Sequence, residues 1–167
     1  MKQSNSKILY IGTILMILAA VALDQLTKYL AVIYLKGKDP YVIWEGVFEL
    51  RYLENRGAAF GILQNQKWFF LVSGILILLL AGYIFVHMPH FGKFIPLRIS
   101  CVFIMAGAIG NMIDRIVHQY VIDFFYFRLI DFPIFNVADI YVTVTTVLIL
   151  LLVLFYYKEE DLEELFS

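Results

Sequence analysis

Apolar residues in this chain gather into long runs, without the strict alternation or one-sided stripes of a water-soluble fold. A helix needs about 20 mostly apolar residues to cross the hydrocarbon core of a bilayer. Four runs meet that length, at about residues 8–28, 68–86, 95–113 and 134–157; the first is densest over Ile8–Leu23 and can continue to Leu35. An even number of crossings puts both termini on one side. The connections then divide into a short turn, His87–Phe94, and two longer segments on the other side, Lys36–Lys67 and Asp114–Pro133. In the first of these, Lys36-Gly37-Lys38-Asp39-Pro40 signals a turn and Phe48-Glu49-Leu50-Arg51-Tyr52 alternates with period two. The pattern predicts a two- or three-stranded sheet within about residues 36–63, resting on the membrane surface. The second is dense in aromatics (Phe124, Phe125, Tyr126, Phe127, Phe132, Phe135) and reads as a segment lying in the interface, with Pro133 before the last helix.

Composition supports the membrane reading: 62% of the 167 residues are hydrophobic and 16% charged, where soluble domains average about 45–50% and about 25%. The formal net charge of −1 argues against a nucleic-acid partner. Lys2 and Lys7 before a run ending Ala20-Val21-Ala22 also fit a cleavable signal peptide, but Asp24–Lys28 belongs to a polar cluster that needs its helix. Orientation does not follow from the cations. The termini and short turn carry five (Lys2, Lys7, Lys93, Arg98, Lys158) against eight on the other side, and setting aside Lys28, Arg56 and Arg115 as functional leaves five against five. Cys101, the single cysteine, sits in an apolar run and reads as a packing residue. The acidic tail Glu159–Glu164 reads as a solvated helix end.

Ionisable groups near membrane depth are costly, and here they collect in five clusters at the helix ends facing the long connections. These are Asp24-Gln25-Leu26-Thr27-Lys28; Glu54-Asn55-Arg56-Gly57-Ala58-Ala59-Phe60-Gly61; Gly107-Ala108-Ile109-Gly110-Asn111-Met112-Ile113-Asp114-Arg115; Val121-Ile122-Asp123-Phe124; and Phe135-Asn136-Val137-Ala138-Asp139. Caps and interhelical hydrogen bonds would explain any one cluster, whereas five converging on one surface point to a site. Serine nucleophiles are poor candidates, because Ser73 and Ser100 lie within helices without an evident base. His87 and His90 flank Pro89 in the opposite turn and read as polar turn residues. Carboxylates remain. Asp24 has Lys28 one helical turn away and Asp114 has Arg115 beside it and Asn111 one turn back, so both are read as ionised and structural. Asp123 and Asp139 stand among apolar neighbours without an adjacent base, and burial lets one such acid hold a proton near neutral pH. The pair predicted to do acid–base chemistry is therefore Asp123 with Asp139.

The five motifs in this order closely resemble those of the bacterial lipoprotein signal peptidases (signal peptidase II). The resemblance implies a polytopic α-helical membrane protein forming a single peptidase domain, with four transmembrane helices and a small extracytoplasmic β-cradle. It further implies a multi-pass protein of the bacterial cytoplasmic membrane, with cytoplasmic termini and a site near the outer surface. Such an enzyme removes the signal peptide from diacylglyceryl-modified prolipoproteins, cutting before the lipidated cysteine with a dyad-activated water. It implies Asp123 and Asp139 as catalytic, and Asp24, Lys28, Asn55, Gly57, Asn111, Asp114, Arg115, Asn136 and Ala138 as substrate-binding or supporting residues. Membrane lipid and cyclic-peptide inhibitors of the globomycin type are implied partners; no metal or other cofactor is expected. Gly57, Ala58, Ala59 and Ala138 lack bulk, which suits either close approach of a substrate backbone or tight packing. Gly107 and Gly110 are read as helix-packing positions. Two rival readings remain. A proton- or ion-conducting bundle using the same acids predicts acids spread through the membrane depth, and an assembly subunit predicts that Asp139→Asn is tolerated.

Overall fold

A computed structural model describes residues 2–58, 62–89 and 92–166. Its helices are α1 (Lys2–Leu35), α2 (Lys67–His87), α3 (Ile95–Val117), α4 (Val137–Leu151, continued by a π-helical turn, Leu152–Tyr156) and α5 (Glu159–Phe166). Four segments are long and apolar enough to span a membrane: Lys7–Leu35, Lys67–His87, Gly92–Val117 and Val137–Tyr156. The first helix therefore runs past residue 28 and the third past 113, while the fourth starts at Val137 and not 134. Lys28 and Asp114 do not end their helices, because their charges are met inside the protein, as described below. Ile134 and Phe135 stay outside α4 because Phe135 pairs as an extended residue with Phe125.

Helix α3 is the axis of the bundle. Half of its most apolar stretch is buried, against 17% in each of the other three, and it packs against α1, α2 and α4. Small residues make this possible: a Cβ on Gly107 would stand 2.7 Å from the Ala138 carbonyl oxygen, and one on Gly110 would run into the Asp24 carboxylate. Ala106 and Ala138 are fully buried. Side chains such as Ile75, Leu79 and Leu80 of α2 and Leu150 and Leu154 of the fourth span remain exposed on the outside of the bundle, the surface a bilayer would cover.

Three antiparallel strands, β1 (Tyr41–Trp44), β2 (Phe48–Asn55) and β3 (Val121–Phe127), form one sheet in the order β1-β2-β3. The expectation of a sheet built from residues 36–63 alone is thus corrected, since the third strand comes from the aromatic segment read as lying in the interface. Val-Ile-Asp-Phe-Phe-Tyr-Phe is rich in strand-favouring residues, but the first four are buried without alternation, which hides the period-two signal. Beyond Asn55 the chain leaves the sheet in a loop closed by Ala58 N–H to the Ile62 carbonyl (2.7 Å) and Asn65 N–H to the Arg56 carbonyl (2.9 Å). Ile122 and Phe124 of β3 pack on Ala31 and Leu35 of α1, tying the sheet to the bundle. Register places Leu53 opposite Asp123 and Asn55 opposite Val121, after an irregularity between Leu50 and Leu53.

At the other end of the bundle, Cys101 is buried with Phe85, Leu97 and Tyr157, a packing position. His87 Nδ1 lies 2.9 Å from the Tyr83 carbonyl oxygen, and His90 is outside the described residues. The acidic tail is not solvated throughout. Asp161 is buried, accepts from the Lys158 N–H at 3.0 Å and is ion-paired with Lys93, which ties α5 to the residues just before α3.

Candidate active site

The geometry starts from one buried lysine. Residues 24 and 28 lie four apart on α1, and Lys28 Nζ stands 2.9 Å from Asp24 Oδ2 and 3.0 Å from Asp114 Oδ2 of α3, all three side chains at most 2% exposed. The expected Asp114–Arg115 partnership is corrected here: adjacent helical residues point apart, so Asp114 faces α1 while Arg115 turns toward the cleft described below. Gln25 closes the same joint, donating to Asp114 Oδ1 (3.0 Å) and to the Gly110 carbonyl (3.2 Å). The acids also hold the elements that carry the chemistry. Asp24 Oδ1 accepts the Ala138 N–H at 2.9 Å at the start of α4, and Asp114 Oδ2 accepts the Ile122 N–H at 3.0 Å in β3.

Three asparagines extend this network to Asp123 and Asp139. Asn136 caps α4 in a reciprocal box, its Oδ1 accepting the Asp139 N–H at 3.0 Å while Asp139 Oδ2 accepts the Asn136 N–H at 3.1 Å. Asn136 Nδ2 then donates to Asp123 Oδ1 at 2.6 Å. Asn111 receives Lys28 Nζ on its Oδ1 at 2.9 Å, which turns its Nδ2 toward Asp139 Oδ1 at 2.8 Å. Asn55 Nδ2 donates to Asp123 Oδ2 at 2.9 Å, and its own Oδ1 is held by the Gly57 N–H at 2.9 Å. Each of the four carboxyl oxygens accepts one N–H, which leaves a lone pair on each for water, proton or substrate. Burial, reinforced by the facing Asp139 carboxylate, pushes the Asp123 carboxyl up to about 7, against the opposing pull of its amide donors.

Both aspartates open onto a cleft of about 550 Å³. Asn55, Asn111 and Arg115 share its polar wall, while Ile130, Phe132 and Ile134 of the β3–α4 connection and Ile140 and Val144 of α4 supply the apolar one. The Arg115 guanidinium lies 4.4 Å from the Phe70 ring centroid and donates to the Asn111 carbonyl at 3.3 Å and the Gly57 carbonyl at 3.5 Å. Gly57 and Ala58 line the cleft; Ala59, Phe60 and Gly61 lie outside the described residues. Ala138 does not line it, being fully buried against α3, so its small side chain serves packing and not substrate approach. Among the described residues no group of three or more His, Cys, Asp or Glu side chains is arranged to hold a metal ion.

The arrangement thus joins ten residues named from sequence, with Ala138 behind them. Gln25 and Thr143 were not singled out. Gln25 sat inside a recognised cluster as a neutral amide, and Thr143 reaches the cleft only because it lies one turn after Asp139 on the same helix.

Comparison with known proteins finds a matching family, similar sequences and similar solved structures. Residues 16–155 match the family model described as signal peptidase (SPase) II. The lipoprotein signal peptidase of Streptococcus thermophilus (strain CNRZ 1066) is 44% identical over 128 residues, covering 77% of this chain and 82% of its own. That of Streptococcus pyogenes serotype M5 (strain Manfredo) is 42% identical over 134 residues, covering 80% and 87%. Two solved structures of bacterial membrane enzymes, obtained in meso at 2.3 and 1.9 Å resolution, superpose with TM-scores of 0.77 and 0.74 at 31% identity, covering 89% and 87% of this chain and 92% and 94% of theirs.

Proposed function

This chain belongs to the signal peptidase II family of aspartic-type peptidases that process lipoproteins, and from that premise we propose that Asp123 and Asp139 form its catalytic dyad, cutting a diacylglyceryl-modified prolipoprotein before its lipidated cysteine. The observation that carries the reading is the pair of carboxyls on one cleft, Asp123 buried and Asp139 partly buried, each oxygen held by a single amide donor and, among the described residues, none by a cation. In the reaction proposed, the substrate's apolar helix stands among the membrane helices with its lipid chains in the bilayer. The scissile bond then meets the dyad at the outer surface, with the termini of the chain in the cytoplasm.

Asp123 carries the proton and donates a hydrogen bond to the scissile carbonyl, while ionised Asp139 takes a proton from the attacking water. The tetrahedral intermediate collapses as the proton held by Asp139 passes to the leaving nitrogen, releasing the signal peptide and the new N-terminal cysteine. Asn55, Asn111 and Asn136 hold the carboxyls in register, and Lys28, Asp24 and Asp114 hold the asparagines and backbone that do so. The acids of this network all sit at one end of the bundle, where an ion relay would need them spread along its depth.

Two identical precursors, one with a diacylglyceryl-modified cysteine and one with a free thiol, test the substrate assignment by gel shift with the purified chain in detergent. Only the lipidated precursor is cut on this reading; equal cleavage of both, or of neither, contradicts it. The reading also fixes a pH dependence. Asp123 must be protonated and Asp139 ionised, so kcat/KM is bell-shaped in pH, and its alkaline limb falls tenfold per pH unit above about 7. A profile measured with the lipidated precursor that stays level to pH 9 removes Asp123 as the acid.

A further inference from the structure

The cleft contains one hydroxyl-bearing side chain that neither the dyad nor its supporting network uses. Thr143 lies one helical turn beyond Asp139, between Ile140 and Val144, and is exposed to the cleft they line together. Several other helical hydroxyls return to their own backbone: Ser73 to the Phe69 carbonyl (2.8 Å), Ser100 to Pro96 (2.9 Å) and Thr145 to Tyr141 (2.5 Å). The Thr143 hydroxyl makes no hydrogen bond among the described residues. Thr146, one turn further along, and Thr13 of α1 also make none, but both lie outside the cleft.

Resting on the peptidase reading above, we propose that Thr143 donates to a backbone carbonyl of the signal peptide just upstream of the scissile bond, capping the end of the substrate helix. A substrate helix that gives way to an extended segment about two residues before the dyad leaves its last four carbonyls without partners inside the helix. At membrane depth water is scarce and the remaining wall of the cleft is apolar (Ile130, Ile134, Ile140, Val144), so those carbonyls need a protein donor. Four residues of α4 cover about 6 Å along its axis. An extended substrate advances about 3.3 Å per residue, so Thr143 meets a carbonyl about two residues before the cut. Such a contact forms with substrate bound and does not change during bond cleavage, so it contributes to binding more than to the chemical step.

Steady-state kinetics on Thr143→Val, Thr143→Ser and Thr146→Val test this, using the lipidated precursor and a second version whose glyceryl chains are ether-linked and lack ester carbonyls. Thr143→Val is expected to raise KM about 3- to 10-fold with kcat within a factor of two, on both substrates. Thr143→Ser keeps wild-type values, which separates a lost hydroxyl from a disturbed fold, and Thr146→Val changes nothing. A Thr143→Val enzyme indistinguishable from wild type overturns the proposal. So does a penalty seen only with the ester-linked substrate, which assigns the hydroxyl to the lipid. Failure of the underlying peptidase reading looks different, because then the wild-type chain itself leaves the lipidated precursor uncut.

Discussion

Replacing either Asp123 or Asp139 with asparagine lowers the rate of precursor cleavage at least about 10³-fold while leaving the protein folded. General acid–base participation contributes typically about 10²–10⁴ for each group, and here the two act on one proton inventory, so loss of either stops the cycle. An amide at 139 has no lone pair basic enough to deprotonate water, and an amide at 123 does not give up a proton to the carbonyl. Structure survives because asparagine keeps the shape. At 139 its one oxygen still accepts either the Asn136 N–H or Asn111 Nδ2, forfeiting one hydrogen bond worth about 1 kcal/mol. Cleavage rates beside thermal unfolding in detergent separate the two effects. A rate within tenfold of wild type for either folded variant removes that residue from the chemistry.

Lys28→Met gives the opposite signature, a loss of stability with activity following. Methionine fills similar volume but leaves Asp24 and Asp114 buried without their cation, at side-chain exposures of 0% and 1%. Removing one member of a buried charge network costs about 3–5 kcal/mol, which in a chain of this size lowers the unfolding midpoint by about 10 °C. The loss travels toward the dyad, because Asn111 Oδ1 loses the closer of its two donors, Lys28 Nζ at 2.9 Å, and keeps only Asn136 Nδ2 at 3.2 Å, which loosens the hold of its own Nδ2 on Asp139. Lys36→Met is the natural comparison. It also breaks a lysine–carboxylate pair, with Glu54, but Lys36 is half exposed there and its removal leaves the midpoint little changed. If both variants unfold at the same temperature as wild type, the buried triad is not what holds α1 to α3.

What sequence reveals of this molecule follows the range of the interactions concerned. Asp24 and Lys28 are four apart on one helix, so their pairing is readable from spacing alone. Asp114 looked equally local beside Arg115, yet its partner lies 86 positions earlier in the chain, and only the packing of α1 on α3 reveals it. The asparagines were legible as cluster members, but not which carboxyl each holds, since Asn55 reaches Asp123 across a strand pairing between two separate loops. That pairing was invisible because β3 is buried along its first four residues and lacks an alternating face. The membrane helices were the easiest feature to see, and their ends the hardest. α1 continues to Leu35 because Lys28, which on hydropathy alone marks an end, is neutralised from two sides.

The most direct measurement is product identification by mass spectrometry, after the detergent-purified chain has acted on a diacylglyceryl-modified prolipoprotein with a metal chelator present throughout. A dyad of carboxylates predicts two products at undiminished rate, the intact signal peptide with a free C-terminal carboxylate and a mature protein beginning at the lipidated cysteine. Cleavage at any other bond, or activity that disappears with the chelator and returns with added metal, contradicts it.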